Sequence, residues 1–490
     1  MKKTKLSIID LKILKEECGV VAAFSFSKEN IVLDVYNALI SLQHRGQDSV
    51  GIASFDGKEI KSIKNLGLVN QAITKTDLEE IVGYLALGHV RYPTIGAGGV
   101  QDAQPFLAKS KIGTIALAHN GNISNYGFSK DQLEKKKVTF CSTCDAELIL
   151  NQLVEGINKK GDIFKAIEEL MEVLDGGYSV CAITSKGQLI VFRDPNAIRP
   201  LCWGKTKNKI MFASESVALD INSIPLKGDI KAGEVLLITE EKIEQRILPK
   251  KTSKKHCIFE YIYFSRPDSI QEGRLIYNIR YELGRRLAKA NPTKADIVVP
   301  VPDTSRPAAQ GYSEESKIPM VEGLMKNRYV GRTFIMPGSK RKEAVRLKLN
   351  PVKELINGKD IILIDDSIVR GTTAGQIVSL LKESGANKVH FRVASPPIIG
   401  PCFYGIDLPN FEQLIANKKT VEEIRKFIGA DSLAYLSIDD LVQSIGLKKE
   451  DLCLGCLTAI YPTPYAQKLA QIIKNKNPKE DLRIWEEKIV

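Results

Sequence analysis

No stretch of this sequence reaches the roughly 18 uncharged apolar residues that a membrane helix requires. The Lys-rich start MKKTKLSIIDLKILKEE also lacks the continuous apolar core of a signal peptide. A membrane protein and an exported one are set aside, and the cytoplasm is the expected location. Nucleic-acid binding is the weaker reading of the net charge of +12, because Lys and Arg are interspersed with acids rather than gathered in one tract. A polyanionic small substrate and a Lys-rich solvated surface account for the charge as well. Histidine is scarce, at five residues, so few sites can rely on an imidazole base. Cysteine is not: nine occur, and without an export signal they point to metal or catalytic use before disulfides. A length of 490 residues suits roughly two to four domains with sizeable cores.

What is present is concentrated in IILIDDSIVRGTTAG, residues 361 to 375. Ile361 to Ile364 are a short continuous apolar run bounded by polar residues, the pattern of a parallel strand covered on both faces. Asp365 and Asp366 emerge at its carboxyl end, where open α/β sheets bind ligands. Gly371-Thr372-Thr373 then opens a helix whose free N–H groups suit a phosphate. Any α/β protein can contain a strand, a polar turn and a helix cap, but here the acids, Ser367, Arg370 and the Thr pair all fall in register after the strand. The segment resembles the phosphoribosyl pyrophosphate (PRPP) loop of type I phosphoribosyltransferases. There the paired acids hold ribose hydroxyls and magnesium while the turn wraps the 5′-phosphate. The resemblance names a ligand class and leaves the second substrate open.

From about residue 257 strands and helices alternate (ADIVVPVPDTS, KIPMVEGLM, KDIILIDDSIV, NKVHFRVASPP), with helices near 276–290, 373–384 and 420–428. Repeated units of this kind predict a parallel twisted sheet, in keeping with a type I phosphoribosyltransferase α/β domain. In VVPVPDTSRPAAQG a second apolar strand ends in a polar turn, and the family places a magnesium ligand at the position of Thr304. Mg²⁺ prefers oxygen ligands, so one hydroxyl with Asp365 and Asp366 beside a diphosphate is chemically sensible. KNRYVGRTFIMP, residues 326 to 337, resembles the loop that closes over PRPP, with Lys326, Arg328 and Arg332 adding positive charge. A solvated basic loop is the plain alternative.

The half before residue 250 alternates β-rich runs such as CGVVAAFSF and KIGTIALAHNG with helical stretches such as DAELILNQLVEGI, which predicts a layered sandwich with largely antiparallel sheets. EECGVVAAF, LQHRGQDSVGIAS, GHVRYPTIG, DAQPF, AHNGNISN and STCDAELI, in this order, resemble the glutaminase domain of amidotransferases with an amino-terminal cysteine nucleophile, an αββα sandwich. A thiol near pH 7 is mostly protonated and needs a base. If the bond before Cys18 is cut, the new α-amino group, with a reference pKa of about 7.7–8.0, can serve. The next methionine after Met1 is Met171, so Met removal cannot expose Cys18; residues 1–17 are expected to be a propeptide cleaved after Glu17. The resemblance gives Arg91 the glutamine α-carboxylate, Asp145 its α-ammonium, and Asn120 with the Gly121 N–H the oxyanion. The plain readings are surface ion-pair residues and, for HNGN, a hairpin turn. Cys141 and Cys144 stand where relatives carry Ser or Thr; with Cys181 and Cys202 they read as small buried side chains rather than metal or redox sites.

Cys257, Cys402, Cys453 and Cys456 match the four thiolates of a [4Fe–4S] cluster in one branch of the resembled family. Their spacing alone equally allows tetrahedral zinc. Taken together, Cys18 to about Tyr465 resembles the amidophosphoribosyltransferase family in its iron–sulfur branch. The implied layout is a propeptide (1–17), a glutaminase domain (18–250), a phosphoribosyltransferase domain (257–465) and a carboxyl-terminal exposed helix (466–490), joined through the Lys-rich linker ILPKKTSKKHC. The resemblance implies glutamine and PRPP as substrates, 5-phospho-β-D-ribosylamine, glutamate and diphosphate as products, Mg²⁺, purine-nucleotide inhibition and a homotetramer. Tyr261 and Phe264 are candidates to line an apolar ammonia passage, or else plain interface core. An amidotransferase with another acceptor would lack the DDSIVRGTT loop, and a noncatalytic PRPP-sensing regulator would need no Cys18 site.

Overall fold

The computed structural model describes residues 18–92, 99–248, 252–327, 348–408 and 410–476. The expected propeptide, Arg328, Arg332 and residues 477–490 lie outside them. Seven antiparallel strands form one sheet in the order Leu226–Asp229, Cys202–Lys205, Lys209–Ala213, Gly19–Ser25, Leu85–Arg91, Ser49–Phe55 and Ile60–Leu66. Six antiparallel strands form a second, in the order Ile243–Ile247, Glu234–Ile238, Leu189–Arg193, Gly176–Thr184, Gly113–Ile123 and Phe106–Ser110.

Period-two alternation sends Val20, Ala22 and Phe24 of the first sheet inward against Ala116, Ala118, Cys181 and Ile183 of the second. The helix Val32–Ser41 covers the outer face of the first sheet through Val35, Ala38 and Leu39. Asp145–Lys160 and Ile163–Val173 cover the outer face of the second. The result is the αββα sandwich that the motifs imply. HNGN is no hairpin turn: it lies within the strand Gly113–Ile123, paired with Gly176–Thr184.

Beyond residue 257 four parallel strands run in the order Ile297–Pro300, Asp360–Asp365, Lys388–Val393 and Ser432–Tyr435. Ile362 and Ile364 enter the core on one face, Ile361 and Leu363 the core on the other, which is why the strand reads as a continuous apolar run. The helices Ile276–Ala290 and Arg306–Ser316 pack backbone to backbone: a Cβ on Gly284 would stand 1.8 Å from the Ala308 carbonyl oxygen, and one on Gly311 1.9 Å from that of Tyr281. The helices expected near 373–384 and 420–428 are Thr372–Glu383 and Val421–Ile428.

KIPMVEGLM departs from the alternating pattern. It makes a single bridge, Val298 to Met320, and then the short strand Leu324–Lys326, paired antiparallel with Leu349–Pro351. Pro319 has no N–H to give a ladder, and Gly323 weakens an extended run. The carboxyl-terminal helix also corrects an expectation. Pro464–Lys476 is docked rather than exposed, burying Ala466, Leu469, Ala470 and Ile473 at helical spacing. The Thr463 hydroxyl donates to Asp175 Oδ1 at 2.6 Å, tying this end to the sandwich.

One apolar core runs through both halves, with Tyr178, Phe192 and Ile198 meeting Phe259, Phe403 and Tyr404. Tyr261 and Phe264 are buried in it. A two-residue parallel ladder, His256–Cys257 on Leu452–Cys453, closes the second half on itself.

Candidate active site

Cys18 opens the central strand of the first sheet and is buried. Its thiol donates to the Tyr92 carbonyl at 3.4 Å, and among the described residues no histidine hydrogen-bonds it. Burial pushes the thiol up to about 11, with Arg91 pulling partly the other way. It is therefore a neutral thiol at pH 7, in need of a base. Arg91 ends the adjacent strand, 4.0 Å from Asp102 Oδ2. Burial works against its charge, but Cys144, Cys18, Asp102 and Asp145 around it hold it above the ordinary guanidinium value.

Asp145 begins the helix Asp145–Lys160, where the macrodipole favours a carboxylate. Its Oδ1 lies 3.0 Å from His119 Nε2, and its Oδ2 accepts from the Ile123 N–H at 3.1 Å. Burial alone would raise it; His119 and the Ile123 N–H outweigh burial and keep it below the usual range. Asn120 and Gly121 sit on the facing sheet. The Asn120 amide donates to Ser214 Oγ at 3.4 Å, and the same oxygen accepts from the Val20 N–H at 3.0 Å. Gly121 has φ +146°, and a Cβ there would lie 2.0 Å from the Gly177 carbonyl oxygen, so only glycine fits.

The sandwich thus brings Cys18, Arg91 and Asp145 into one electrostatic neighbourhood, and Ser214 links the strand that follows Cys18 to Asn120. Sequence reasoning missed Ser214, His119 and Gln104, whose Oε1 accepts from the His119 N–H at 2.7 Å. The quoted motifs AHNGNISN and DAQPF contain the last two; FASES, with Ser214, carries no distinctive pattern. Cys144, Cys181 and Cys202 are buried as expected, but Cys141 is exposed. It precedes the helix by a full turn of chain, and its N–H is held by Glu147 Oε1 at 2.8 Å, which turns the residue outward from the core.

The second site lies at the carboxyl end of the parallel sheet. The Thr304 hydroxyl donates to Asp366 Oδ2, the Ser367 hydroxyl to Asp366 Oδ1 at 2.9 Å, and the Asp366 N–H to Asp365 Oδ1 at 2.9 Å. Burial raises both carboxyls above the usual range, Asp365 well above, and the neighbouring Asp366 adds to the effect at Asp365. The donor set Thr304, Asp365 and Asp366 is all oxygen, so it fits Mg²⁺. Gly371, at φ +76°, turns the chain into the helix Thr372–Glu383; a Cβ there would lie 2.8 Å from Ile415 Cδ1. Thr372 and Thr373 occupy the first turn. Arg370 bonds Gln413, and Lys326 pairs with Asp303 at 3.0 Å, half-exposed at the rim.

A third arrangement joins the halves. Cys257, Cys402, Cys453 and Cys456 all line one small cavity, closed by Ile198, Phe259, Tyr404 and Tyr461. Among the described residues no three His, Cys, Asp or Glu side chains converge closely enough for a single metal ion. Mononuclear tetrahedral zinc, with Zn–S bonds of about 2.3 Å, needs sulfurs about 3.8 Å apart. Burial pushes Cys257 up to about 12, which Arg199 partly offsets.

Two machineries share this chain, an amidotransferase sandwich and a sheet bearing a phosphoribosyltransferase loop, so it falls in the class of glutamine-dependent transferases with a phosphoribosyl acceptor. A family profile described as a glutamine amidotransferase domain matches residues 93–220. The amidophosphoribosyltransferase of Methanocaldococcus jannaschii is 44% identical over 462 residues, 91% of this chain and 98% of its own. That of Methanothermobacter thermautotrophicus is 43% identical over 460 residues, 94% and 97% respectively. The solved glutamine PRPP amidotransferase from B. subtilis, complexed with ADP and GMP, superposes with a TM-score of 0.86 at 40% identity over 91% of this chain and 98% of that one. The chain belongs to the amidophosphoribosyltransferase family, which catalyses the first step of purine biosynthesis.

Proposed function

We propose that the chain, cleaved after Glu17, hydrolyses glutamine at Cys18 and passes the ammonia internally to PRPP, giving 5-phospho-β-D-ribosylamine, glutamate and diphosphate. The observation that carries this reading is the shared buried neighbourhood of the Cys18 thiol, the Arg91 guanidinium and the Asp145 carboxylate. Arg91 and Asp145 bind the two charged groups at the α-carbon of glutamine, leaving its carboxamide to the thiol. The freed α-amino group of Cys18 takes the thiol proton and returns it to the leaving ammonia. Asn120 Nδ2 and the Gly121 N–H receive the oxyanion as the tetrahedral intermediate forms, where such donors are worth most.

At the second site Thr372, Thr373 and the N–H groups behind Gly371 hold the 5′-phosphate, Asp365 and Asp366 the ribose hydroxyls, with Ser367 and Arg370 shaping the loop. Lys326 and Arg332 balance the diphosphate charge. Mg²⁺, held by Thr304, Asp365 and Asp366, would neutralise the diphosphate. Cys257, Cys402, Cys453 and Cys456 would hold a [4Fe–4S] cluster that ties the carboxyl-terminal segment to the start of the second half. Its support is that all four cysteines line one small cavity. Purine nucleotides act as inhibitors in this reading, consistent with the ADP and GMP in the B. subtilis relative. The assembly is a homotetramer, which light scattering would test, and the enzyme acts in the cytoplasm. Among the described residues no helix is long and apolar enough to cross a membrane.

The test is an anaerobic assay of glutamate and diphosphate release, with mass spectrometry of the amino terminus of the same sample. A mature chain starting at Cys18 should form both products in equal amounts. Cys18→Ala should lose glutamine use while retaining ammonia use. An intact Met1 terminus with full glutaminase activity would overturn the nucleophile assignment.

A further inference from the structure

The strand that carries Asn120 and Gly121 keeps one backbone donor out of its ladder. Tyr178 lies opposite Gly121 on the neighbouring strand, but its N–H donates to Asp194 Oδ2 at 3.2 Å and its carbonyl accepts from the Asp194 N–H at 2.8 Å. Gly121 and Tyr178 are therefore a non-hydrogen-bonded pair, and the Gly121 N–H turns away from the ladder. His119 and Ile123, two residues to either side, send their N–H groups the same way, to Gln104 Oε1 at 2.7 Å and to Asp145 Oδ2 at 3.1 Å. The Gly121 N–H between them thus lies on the strand edge that faces the glutamine pocket.

Segment 403–405 of the second half backs this stretch directly. A Cβ on Gly405, at φ +116°, would find its three nearest atoms all in the Gly121 backbone, at 3.3 and 3.5 Å. One on Gly177, the residue opposite Asn122, would stand 3.2 Å from Tyr404 Cβ. Gly121 has no side chain to hold it in this slot; the next residue supplies the hold. Asn122 shares a strand face with Asn120. Asn120 Nδ2 reaches Ser214 Oγ within the sandwich, whereas Asn122 Nδ2 donates to the Phe403 carbonyl at 2.9 Å. Asn122 is buried, and its Oδ1 has no hydrogen-bond partner among the described residues. An orphaned buried oxygen costs stability that an apolar side chain would not, so packing alone does not account for an asparagine here.

We propose that Asn122 is a positioning residue for glutamine hydrolysis: its bond to the Phe403 carbonyl, with Gly405 seated against Gly121, fixes the peptide whose N–H receives the oxyanion. The side chain touches no substrate. It pins the strand, one residue beyond the donor, to a segment that the chain supplies 281 residues later. An oxyanion donor is effective only when its place is set before the charge develops, and a misplacement of about 1 Å can cost about 10²-fold in rate. The inference rests on the glutaminase function proposed above and requires nothing of the PRPP site.

The experiment uses the full chain with its metal complement. Asn122→Leu keeps the size of the side chain and removes the bond. It should lower kcat for glutamine about tenfold or more with KM held within about threefold, because oxyanion donors act on the transition state alone. Alkylation of Cys18 by iodoacetamide, which forms no oxyanion, should keep its rate within about twofold when read by mass spectrometry. A kcat equal to the parent's, or a loss of alkylation as large as the loss of kcat, would overturn the proposal. If the variant fails to fold, hydrogen exchange on the unmodified protein decides. A diazo ketone analogue of glutamine alkylates Cys18 with loss of dinitrogen and leaves its ketone oxygen at the Asn120 and Gly121 donors. Exchange should then slow in segment 402–406 together with 119–124, and an unchanged 402–406 would overturn the positioning role. A parent that neither hydrolyses glutamine nor reacts with the diazo ketone would instead sink the function itself.

Discussion

The glutamine pocket and the PRPP pocket handle charge in opposite ways. Around Cys18 each buried charged side chain has a partner: Arg91 stands by Asp102, and Asp145 is hydrogen-bonded to His119. Around the second site two acids share one corner, Asp365 beside Asp366, with hydroxyls as their hydrogen-bonding side-chain neighbours. The first pocket is electrostatically complete before its neutral, zwitterionic substrate arrives. The second is built against itself, and on the function proposed above a cation and a ligand rich in negative charge would complete it. An amide hydrolase needs fixed dipoles in place at the moment of reaction; a diphosphate site needs to admit metal with its substrate.

The largest effect that would sharpen this contrast belongs to the first pocket. Asn120→Ala should lower kcat for glutamine by about 10²–10³-fold, the usual cost of one oxyanion donor, and leave ammonia-dependent turnover of PRPP intact. Equal loss in both assays would show that the pockets are not separable. Next comes Asp366→Asn, expected to lower PRPP turnover on the order of 10–100-fold. Melting without Mg²⁺ at pH 7.5 should nonetheless show the variant more stable than the parent, by about 1–3 °C. A carboxyl raised in the folded state costs stability as it ionises, so that gain should shrink as pH falls toward the free aspartate value of about 3.9.

The smallest effect is a difference in sign with pH. Glu215 is held well below the usual range: burial would raise it, but Arg45 and His44 prevail. Its contribution is fully present above the free glutamate value of about 4.3 and is lost as pH falls further. Melting temperature without metal should therefore rise slightly from pH 7.5 to about 5.5 and fall steeply below about 4. Mg²⁺ should remove the first slope alone. A fourth measurement concerns the cavity between the halves: iron and acid-labile sulfide at about four each per chain, both lost in Cys402→Ser, would establish the cluster. One zinc per chain would replace it with a mononuclear site.

Much of this was legible in residue order. Asp365, Asp366 and Gly371 follow an apolar run that a doubly covered strand demands, and the loop chemistry is local. Cys18, Arg91, Asn120 and Asp145 lie in separate motifs, so their convergence required the resemblance rather than spacing. The buried ion pairs of Arg45 with Glu215 and Glu260 were not legible at all. Arg45, Glu215 and Glu260 are far apart in the chain, and each reads alone as an ordinary surface charge. Cys141 and Cys144 look alike in a C-x-x-C pair, yet only the second abuts the helix that buries it. The docked face of 464–476 was present as the spacing 466, 469, 470 and 473, but the lysines among those positions gave it the look of a solvated helix.

The short ladder between His256–Cys257 and Leu452–Cys453 also sets an order of events during synthesis. At about 5–20 residues per second, Cys453 emerges roughly 10–40 s after Cys257. The sandwich before residue 250 is complete in sequence throughout that interval and is free to fold first. A ribosome stalled near residue 450 would carry an ammonia-producing half whose acceptor half had not yet closed. The last stretch of the chain is thus what completes the apolar core that the two halves share.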